Sequence, residues 1–100
     1  MRETGKNGYK TKLKKDLEEL FEGCIVIIND PNLRQGIPDL LILFGRRWAA
    51  LEVKASRNSP TRPNQPYYVD LLNEMSYAAI IYPENEAEIL YELECALRDQ

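Results

Sequence analysis

Four short runs of apolar residues, each about as long as one β-strand, constrain the fold of this chain most. The runs are residues 24–28, 40–44, 48–53 and 77–82. Their length and their content of isoleucine, valine and leucine are typical of largely buried strands. Gly45 and Arg46 follow the second run and predict a two-residue hairpin, with Gly45 at the first central position of a type II′ turn. We therefore expect the first three strands to form an antiparallel meander.

Apolar residues recur at helical spacing in three other parts of the chain. Helix one is expected over residues 9–22, where Gly23 ends it. Helix two begins near Pro66, and Asn85 with Glu88 resembles a capping box that opens helix three. The expected inner faces are Leu13, Leu17, Leu20 and Phe21 of helix one, Tyr68, Leu71, Leu72 and Met75 of helix two, and Ile89, Leu90, Leu93 and Leu97 of helix three.

This order of elements, αβββαβα, predicts an α/β fold. Helix two crosses over to the fourth strand, which gives a four-stranded mixed sheet flanked by helices, with the last helix added at the C-terminal end. A chain of 100 residues has room for one hydrophobic core. We therefore expect a single domain over residues 1–100, in which residues 1–8 form a flexible basic tail.

The chain contains no histidine. This excludes Ser-His-Asp and Cys-His nucleophiles, zincin-type metal sites and nucleases with a histidine base. Catalysis would have to come from carboxylates, lysines, hydroxyls or a hard metal ion. The longest apolar runs are also far shorter than the roughly 20 residues that span a bilayer, and the start of the chain lacks a secretory apolar stretch. We expect a cytoplasmic protein without a membrane partner.

Charge is distributed unevenly along the chain. The formal net charge of −3 argues against a simple cationic nucleic-acid binder. Residues 1–15 and 54–62 are nevertheless basic, whereas residues 84–100 are acidic. The basic segments indicate either a surface for nucleic acid or ordinary solvated faces, and the pattern leaves both interpretations open.

Two carboxylates and a lysine are expected to meet at the open end of the hairpin. The turn register places Asp39 opposite Glu52, and Lys54 lies on the same face as Glu52 because strand side chains alternate with period two. Neighbouring carboxylates repel each other unless a cation lies between them, and oxygen ligands suit Mg²⁺ or Mn²⁺. The carbonyl of Val53 is a natural third ligand. Lys54 would then orient or deprotonate a water molecule, or neutralise charge on a phosphorane.

The motif residues resemble a known signature. Residues 36–39 read Gly-Ile-Pro-Asp and residues 52–54 read Glu-Val-Lys, with a strand and a turn between them. This pattern is similar to that of the PD-(D/E)XK nucleases with their restriction-endonuclease-like αβββαβ core. In detail it resembles the VRR-NUC branch and small phage nucleases, over roughly residues 9–82. The resemblance implies that Asp39, Glu52 and Lys54 are catalytic and that Gln65, at the start of helix two, belongs to the same site.

One part of the family pattern has no clear counterpart here. Such nucleases usually carry a further acidic metal ligand near the start of the first helix, where this chain has mainly Lys10, Thr11 and Lys12. Glu3 lies upstream and Asp16 lies on the flank of the apolar face. Either could be considered, so the number of metal ions stays open.

These observations predict a metal-dependent endonuclease that cleaves DNA, including branched or nicked DNA. The candidate phosphate contacts are Lys10, Lys14, Arg57 and Arg62. Because a chain this small offers little surface for a duplex, and similar small nucleases often act as dimers, we expect a homodimer. A phage origin, and with it the cytoplasm of the host cell, is implied by the resemblance alone.

The sequence leaves three other interpretations open. The chain could be a catalytically silent DNA-binding or scaffold module of the same fold, or a nuclease subunit that is active only with a helicase or DNA-binding partner. The charged residues of the hairpin could also form a structural salt-bridge cluster.

Overall fold

The protein folds into a four-stranded mixed sheet with helices on both faces, as the sequence predicts. The computed structural model describes residues 5–29, 36–60 and 64–98, without the side chains of residues 64 and 65. The elements are α1 (Gly5–Leu20), β1 (Ile25–Ile28), β2 (Leu40–Phe44), β3 (Arg47–Val53), α2 (Asn64–Met75), β4 (Tyr77–Ile81) and α3 (Glu86–Arg98), with a 3₁₀ turn at Pro83–Asn85 before α3. No helix in the described ranges is both long enough and apolar enough to span a membrane.

The strands lie in chain order across the sheet. β1 pairs with β2 and β2 with β3 in antiparallel fashion, and β4 joins β3 in parallel. The hairpin register pairs Phe44 with Arg47 and Leu40 with Leu51, as predicted. Gly45 has a φ of +61°, and every residue with positive φ in the described ranges is a glycine, so the turn has the glycine-first pattern of type II′. This register carries Asp39 and Glu52 to the same open end of the hairpin.

The two faces of the sheet have separate cores. On one face α1 and α3 cover the sheet, and on the other face α2 covers β3 and β4. In β3, Leu51 and Val53 belong to the first core, whereas Ala50 belongs to the second. Each fully buried leucine stabilises the fold by about 2 kcal/mol relative to exposure. The strict alternation along β3 also decides which face its polar residues share.

Helix α1 begins earlier than its apolar pattern indicates. Leu13 and Leu17 are fully buried and Phe21 follows them into the core, as predicted, whereas Leu20 is 38% exposed. Residues 5–8, expected to be part of a flexible tail, are instead helical. They escaped prediction because this turn carries polar residues, and one of them, Lys6, contacts charged groups rather than the core.

The predicted inner face of α2 is partly wrong. Val69 is the buried residue, at 7% exposure, whereas Met75 is 63% exposed. Tyr68, Leu71 and Leu72 are half-buried. The reason is that α2 packs against small side chains, Ala50 and Ala78, so one β-branched residue fills the contact and the helix end projects past it.

The capping box expected at Asn85 and Glu88 is replaced by a different use of Asn85. Its Oδ1 accepts the backbone N–H of Tyr82 at 2.9 Å, and its Nδ2 donates to the carbonyl of Ile80 at 3.0 Å. Asn85 thus closes the 3₁₀ turn after β4, and α3 begins one residue later. The inner face of α3 is confirmed: Ile89, Leu93 and Leu97 are buried and Leu90 packs against them.

Candidate active site

Three charged side chains are buried at the open end of the β2–β3 hairpin. Asp39 is 7% exposed, Glu52 1% and Lys54 6%. In the described part of the chain they are the only polar or charged residues that are buried. Buried charges are rare in proteins unless they are paired or bind a metal, because desolvation is costly. Their position at one end of the hairpin is the one predicted from the register.

Asp39 is held in place by backbone hydrogen bonds on both sides. Its Oδ2 accepts the N–H of Val53 at 2.9 Å, and its own carbonyl accepts the N–H of Asn29 at 2.8 Å. The side chain therefore takes the place of a carbonyl in the ladder between β2 and β3. The N–H and C=O of a strand residue point to the same neighbouring strand, so the carbonyl of Val53 is also directed to the side of Asp39.

Burial and the neighbouring carboxylate act together on Glu52. They raise the pKa of Glu52 to about 7, with burial as the larger cause and the charge of Asp39 as the next. The ammonium groups of Lys6 and Lys54 oppose this rise. The pair of carboxylates is thus electrostatically strained when both are ionised, and a cation between them would relieve the strain.

Three lysines supply positive charge around the pair. Lys6 Nζ lies 3.1 Å from Asp39 Oδ2 and 3.6 Å from Glu52 Oε2. Lys10 Nζ lies 3.8 Å from Asp39 Oδ1. Lys54 Nζ lies 3.8 Å from Glu52 Oε2 and donates a hydrogen bond to the carbonyl of Pro60 at 2.8 Å. Both carboxylates therefore share the ammonium of Lys6, and Lys54 is anchored between Glu52 and the following loop.

Lys6 is a site residue that sequence reasoning missed. A signal for it exists, because Lys6, Lys10, Leu13 and Leu17 recur at intervals of four, three and four residues. This spacing places all four on one stripe of α1. This stripe of the helix thus covers the core with leucines and reaches the site with lysines.

A cleft with a volume of about 330 Å³ opens beside the carboxylates. It is lined by Lys6, Asn7, Lys10, Gly36, Ile37, Asp39, Lys54, Ala55, Ser59 and Pro60. The start of α1, the segment before β2 and the loop after β3 therefore meet around one opening. Three lysines and one aspartate line the cleft, and this excess of positive charge suits an anionic group such as a phosphate.

The donor set fits a hard divalent cation. The described residues contain no group of three or more acidic, cysteine or histidine side chains that could hold a metal ion. Mg²⁺, however, is usually bound through one or two carboxylates, with water and substrate phosphates completing its shell. Asp39 and Glu52 supply two carboxylates, and the carbonyl of Val53 could supply a third oxygen.

The other predicted site residues lie in different places. Gln65 is in the first turn of α2, but its side chain is outside the described part, as are Arg62 and Glu3. Arg57 is exposed; its guanidinium lies 6.0 Å from the ring centroid of Tyr82, and its backbone N–H donates to Glu84. The structure thus places Arg57 on the loop that follows the site.

Two further residues of α1, Lys14 and Asp16, do not line the cleft. Lys14 pairs with Glu18 at 2.7 Å, and Asp16 pairs with Lys12 at 2.7 Å. Lys12 in turn lies 3.8 Å from Glu86 of α3. Asp16 therefore belongs to a surface network between α1 and α3, and the structure does not bring it to the other two carboxylates.

The element order and the mixed sheet are those of a nuclease-type fold. Two solved structures share this fold. One, described as a VRR_NUC domain, has a TM-score of 0.69 and 25% sequence identity, and the match covers 90% of this chain and 97% of that chain. The other, described as a VRR_NUC domain protein, has a TM-score of 0.69 and 16% identity, with 99% and 93% covered.

The likeness to the VRR-NUC domain that the motifs indicated is thereby confirmed, and so is the predicted fold. A scan against family models found no match for the chain, and neither did a search of curated proteins.

Proposed function

We propose that this protein is a divalent-metal-dependent endonuclease that hydrolyses phosphodiester bonds in DNA. One observation carries the proposal: Asp39 and Glu52 are buried side by side and share the ammonium of Lys6, on a fold that resembles the VRR_NUC domain. A salt-bridge cluster with no other role would hold two carboxylates together at a considerable desolvation cost. A site that exchanges ammonium for a metal ion and a phosphate accounts for this arrangement.

The carboxylates of Asp39 and Glu52 would hold Mg²⁺ or Mn²⁺, with the carbonyl of Val53 as a further ligand. When bound, the ion would supply Lewis acidity toward a phosphate oxygen and favour ionisation of a water molecule. The hydrogen bond from the N–H of Val53 orients Asp39 before any ligand arrives. This preorganisation lowers the cost of assembling the site during the reaction.

Lys54 is proposed to act on the reacting groups. Its ammonium is bound to the carbonyl of Pro60 and lies near Glu52, on a side chain that is 8% exposed. A charged group fixed in this way can orient the attacking water, or neutralise the charge that develops on the phosphorus oxygens. Gln65 of α2 is proposed as a further group of the site, on the strength of the motif resemblance.

Lys10 and Arg57, together with Lys14 and Arg62, are proposed to contact DNA phosphates. Lys10 lines the cleft, which makes it the first candidate to contact the DNA next to the scissile phosphate. A second copy of the chain would extend the surface available to a duplex, and branched or nicked DNA is the proposed substrate class.

The test is cleavage of supercoiled plasmid and of branched DNA with Mg²⁺ or Mn²⁺. We expect cleavage by the wild type and its loss by at least about 100-fold in Asp39→Asn and Lys54→Met, because each removes a group at the reacting centre. Asp70→Asn and Lys15→Met make the same chemical changes at exposed positions and should leave cleavage intact. Cleavage that persists in Asp39→Asn, or that needs no metal, would contradict the proposal.

A catalytically silent DNA-binding module is the second candidate. It is favoured by one observation, that only two acidic side chains converge within the described ranges. This candidate predicts DNA binding without cleavage, in any metal and with any partner. A subunit that depends on a helicase or DNA-binding partner would instead gain metal-dependent cleavage, still sensitive to Asp39→Asn, when the partner is added.

A further inference from the structure

Lys6 lies where its positive charge serves both carboxylates of the site at once. Its Nζ is 3.1 Å from Asp39 Oδ2 and 3.6 Å from Glu52 Oε2. Lys10 Nζ lies 3.8 Å from Asp39 Oδ1, and Lys54 Nζ lies 3.8 Å from Glu52 Oε2. In the metal-free protein, Lys6 therefore provides the compensating charge that the proposed metal ion would provide.

We infer that Lys6 is a built-in counter-ion that competes with the metal ion for Asp39 and Glu52 and leaves the carboxylates when the metal binds. The inference rests on the proposed function, because it concerns the same site. A divalent ion bound by these carboxylates would repel an ammonium at the distances observed. The same two carboxylates therefore stabilise either cation fully, but not both together.

The exposure of the three lysines indicates which one leaves. The side chain of Lys6 is 38% exposed, whereas those of Lys10 and Lys54 are 16% and 8% exposed. Lys54 is also tied to the carbonyl of Pro60. Lys6 can thus rotate its ammonium into water with little loss of packing, since a lysine has a long flexible stem.

The position of Lys6 on its helix supports the same conclusion. Lys6 is the second residue of α1, and the buried residues of this helix, Leu13 and Leu17, lie two turns or more away. Helix ends fray more easily than helix centres. Movement of this side chain therefore does not require the core to open.

With competition of this kind, the apparent metal affinity equals the intrinsic affinity multiplied by the fraction of time in which the carboxylates are free of Lys6. If Lys6 occupies the carboxylates about nine-tenths of the time, its removal strengthens metal binding about tenfold. Once displaced, the ammonium stays at the rim of the cleft that it lines, where a DNA phosphate would meet it.

The test is the affinity of the protein for Mn²⁺, measured by isothermal titration calorimetry without DNA. We expect Lys6→Met to bind Mn²⁺ about tenfold more tightly than the wild type. Lys6→Arg keeps the charge and should bind with nearly the wild-type affinity. Lys15→Met removes the same net charge from an exposed position of α1 and should also match the wild type.

A second measurement uses the unchanged protein, in case Lys6→Met does not fold. Acetylation of lysines by acetic anhydride, followed by mass spectrometry, reports how accessible each ammonium is. We expect Mn²⁺ to increase the acetylation of Lys6 relative to Lys15. Equal or reduced acetylation of Lys6 with Mn²⁺ bound would overturn the inference.

The outcomes separate this inference from the proposed function. If the wild type binds Mn²⁺ and cleaves DNA, but folded Lys6→Met binds no more tightly than Lys15→Met, only the inference is wrong. If neither the wild type nor folded Lys6→Met binds Mn²⁺, the metal-dependent function fails and the inference fails with it. Binding by Lys6→Met but not by the wild type would support the inference in its strongest form.

Discussion

The carboxylate of Asp39 accepts the backbone N–H of Val53 at 2.9 Å and so prolongs the β2–β3 ladder by one side-chain bond. This bond connects the stability of the hairpin to the geometry of the site. Asp39 and Glu52 are adjacent because the ladder continues past the last backbone pair, Leu40 with Leu51. Changes at Asp39 are therefore expected to affect both folding and metal binding, and the two effects can be separated.

Asp39→Ala should destabilise the protein by about 1–3 kcal/mol, because it leaves the buried N–H of Val53 without an acceptor. Asp39→Asn keeps an acceptor oxygen and should cost less, although it removes a proposed metal ligand. Urea unfolding with EDTA present measures both free energies. The structural role assigned to Asp39 is wrong if the alanine variant is as stable as the asparagine variant.

Glu52 should make the metal-free protein less stable as the pH rises. Its pKa is raised from 4.5 to about 7 by burial and by Asp39, so between these values the folded state binds more protons than the unfolded state. The free energy of unfolding contributed by this group therefore falls from about pH 4.5 to about pH 7 and stays low above it. Urea unfolding across this range should show the fall in the wild type.

The matched variants are Glu52→Gln and Glu74→Gln, the latter at an exposed position on α2. The first should remove the fall in stability with pH, and the second should retain it. Saturating Mn²⁺ should also reduce the fall, since a bound cation favours the ionised carboxylate. A fall that persists unchanged in Glu52→Gln must come from other groups.

Lys10 and Lys14 should differ in their effect on DNA binding, although both belong to the basic start of the chain. Lys10 lines the cleft, whereas Lys14 pairs with Glu18. Fluorescence anisotropy with a short duplex and Ca²⁺ should show weaker binding, by several-fold, for Lys10→Met. The loss for Lys14→Met should be smaller. Equal losses would mean that the two lysines act only through overall charge.

An exposed apolar surface on the edge strand β1 offers a test of the proposed homodimer. Ile25, Ile27 and Ile28 are 58%, 45% and 44% exposed. Exposed apolar residues on an unpaired strand edge favour association with another chain. If two copies meet there, Ile27→Lys should yield monomers in light scattering after gel filtration.

The control for this change is Met75→Lys, which places the same charge at a residue that is 63% exposed at the end of α2. That variant should retain the oligomeric state of the wild type. A dimer that survives Ile27→Lys would place the interface elsewhere, and a monomeric wild type would contradict the dimer itself.

The hairpin and its charged mouth could be predicted because they depend on local rules. Gly45 selects the turn, the turn sets the register, and the period of two in a strand assigns Glu52 and Lys54 to one face. The helix and strand order follows from apolar spacing in the same way. Covalent geometry and side-chain patterning are properties of short segments, so a single sequence is enough to state them.

Other features depend on which segments meet in space. The sequence did not indicate that Val69 rather than Met75 is buried, because the small residues opposite α2 come from β3 and β4. Nor did it show that Asn85 closes a turn against Ile80. In both cases the partner is distant in the chain or belongs to another element, and side-chain propensity does not predict such a partner.

Lys6 shows the same division most clearly. The residue spacing places Lys6 on the same side of α1 as Leu13 and Leu17. The spacing does not show which residues of other elements Lys6 contacts. The contact with Asp39 and Glu52 arises when α1 packs across the sheet and its first turn overhangs the open end of the hairpin. The chain thus dictates its elements and the chemistry of each strand end by local geometry. Packing decides which charges converge, because convergence depends on distances between segments that lie far apart in the sequence.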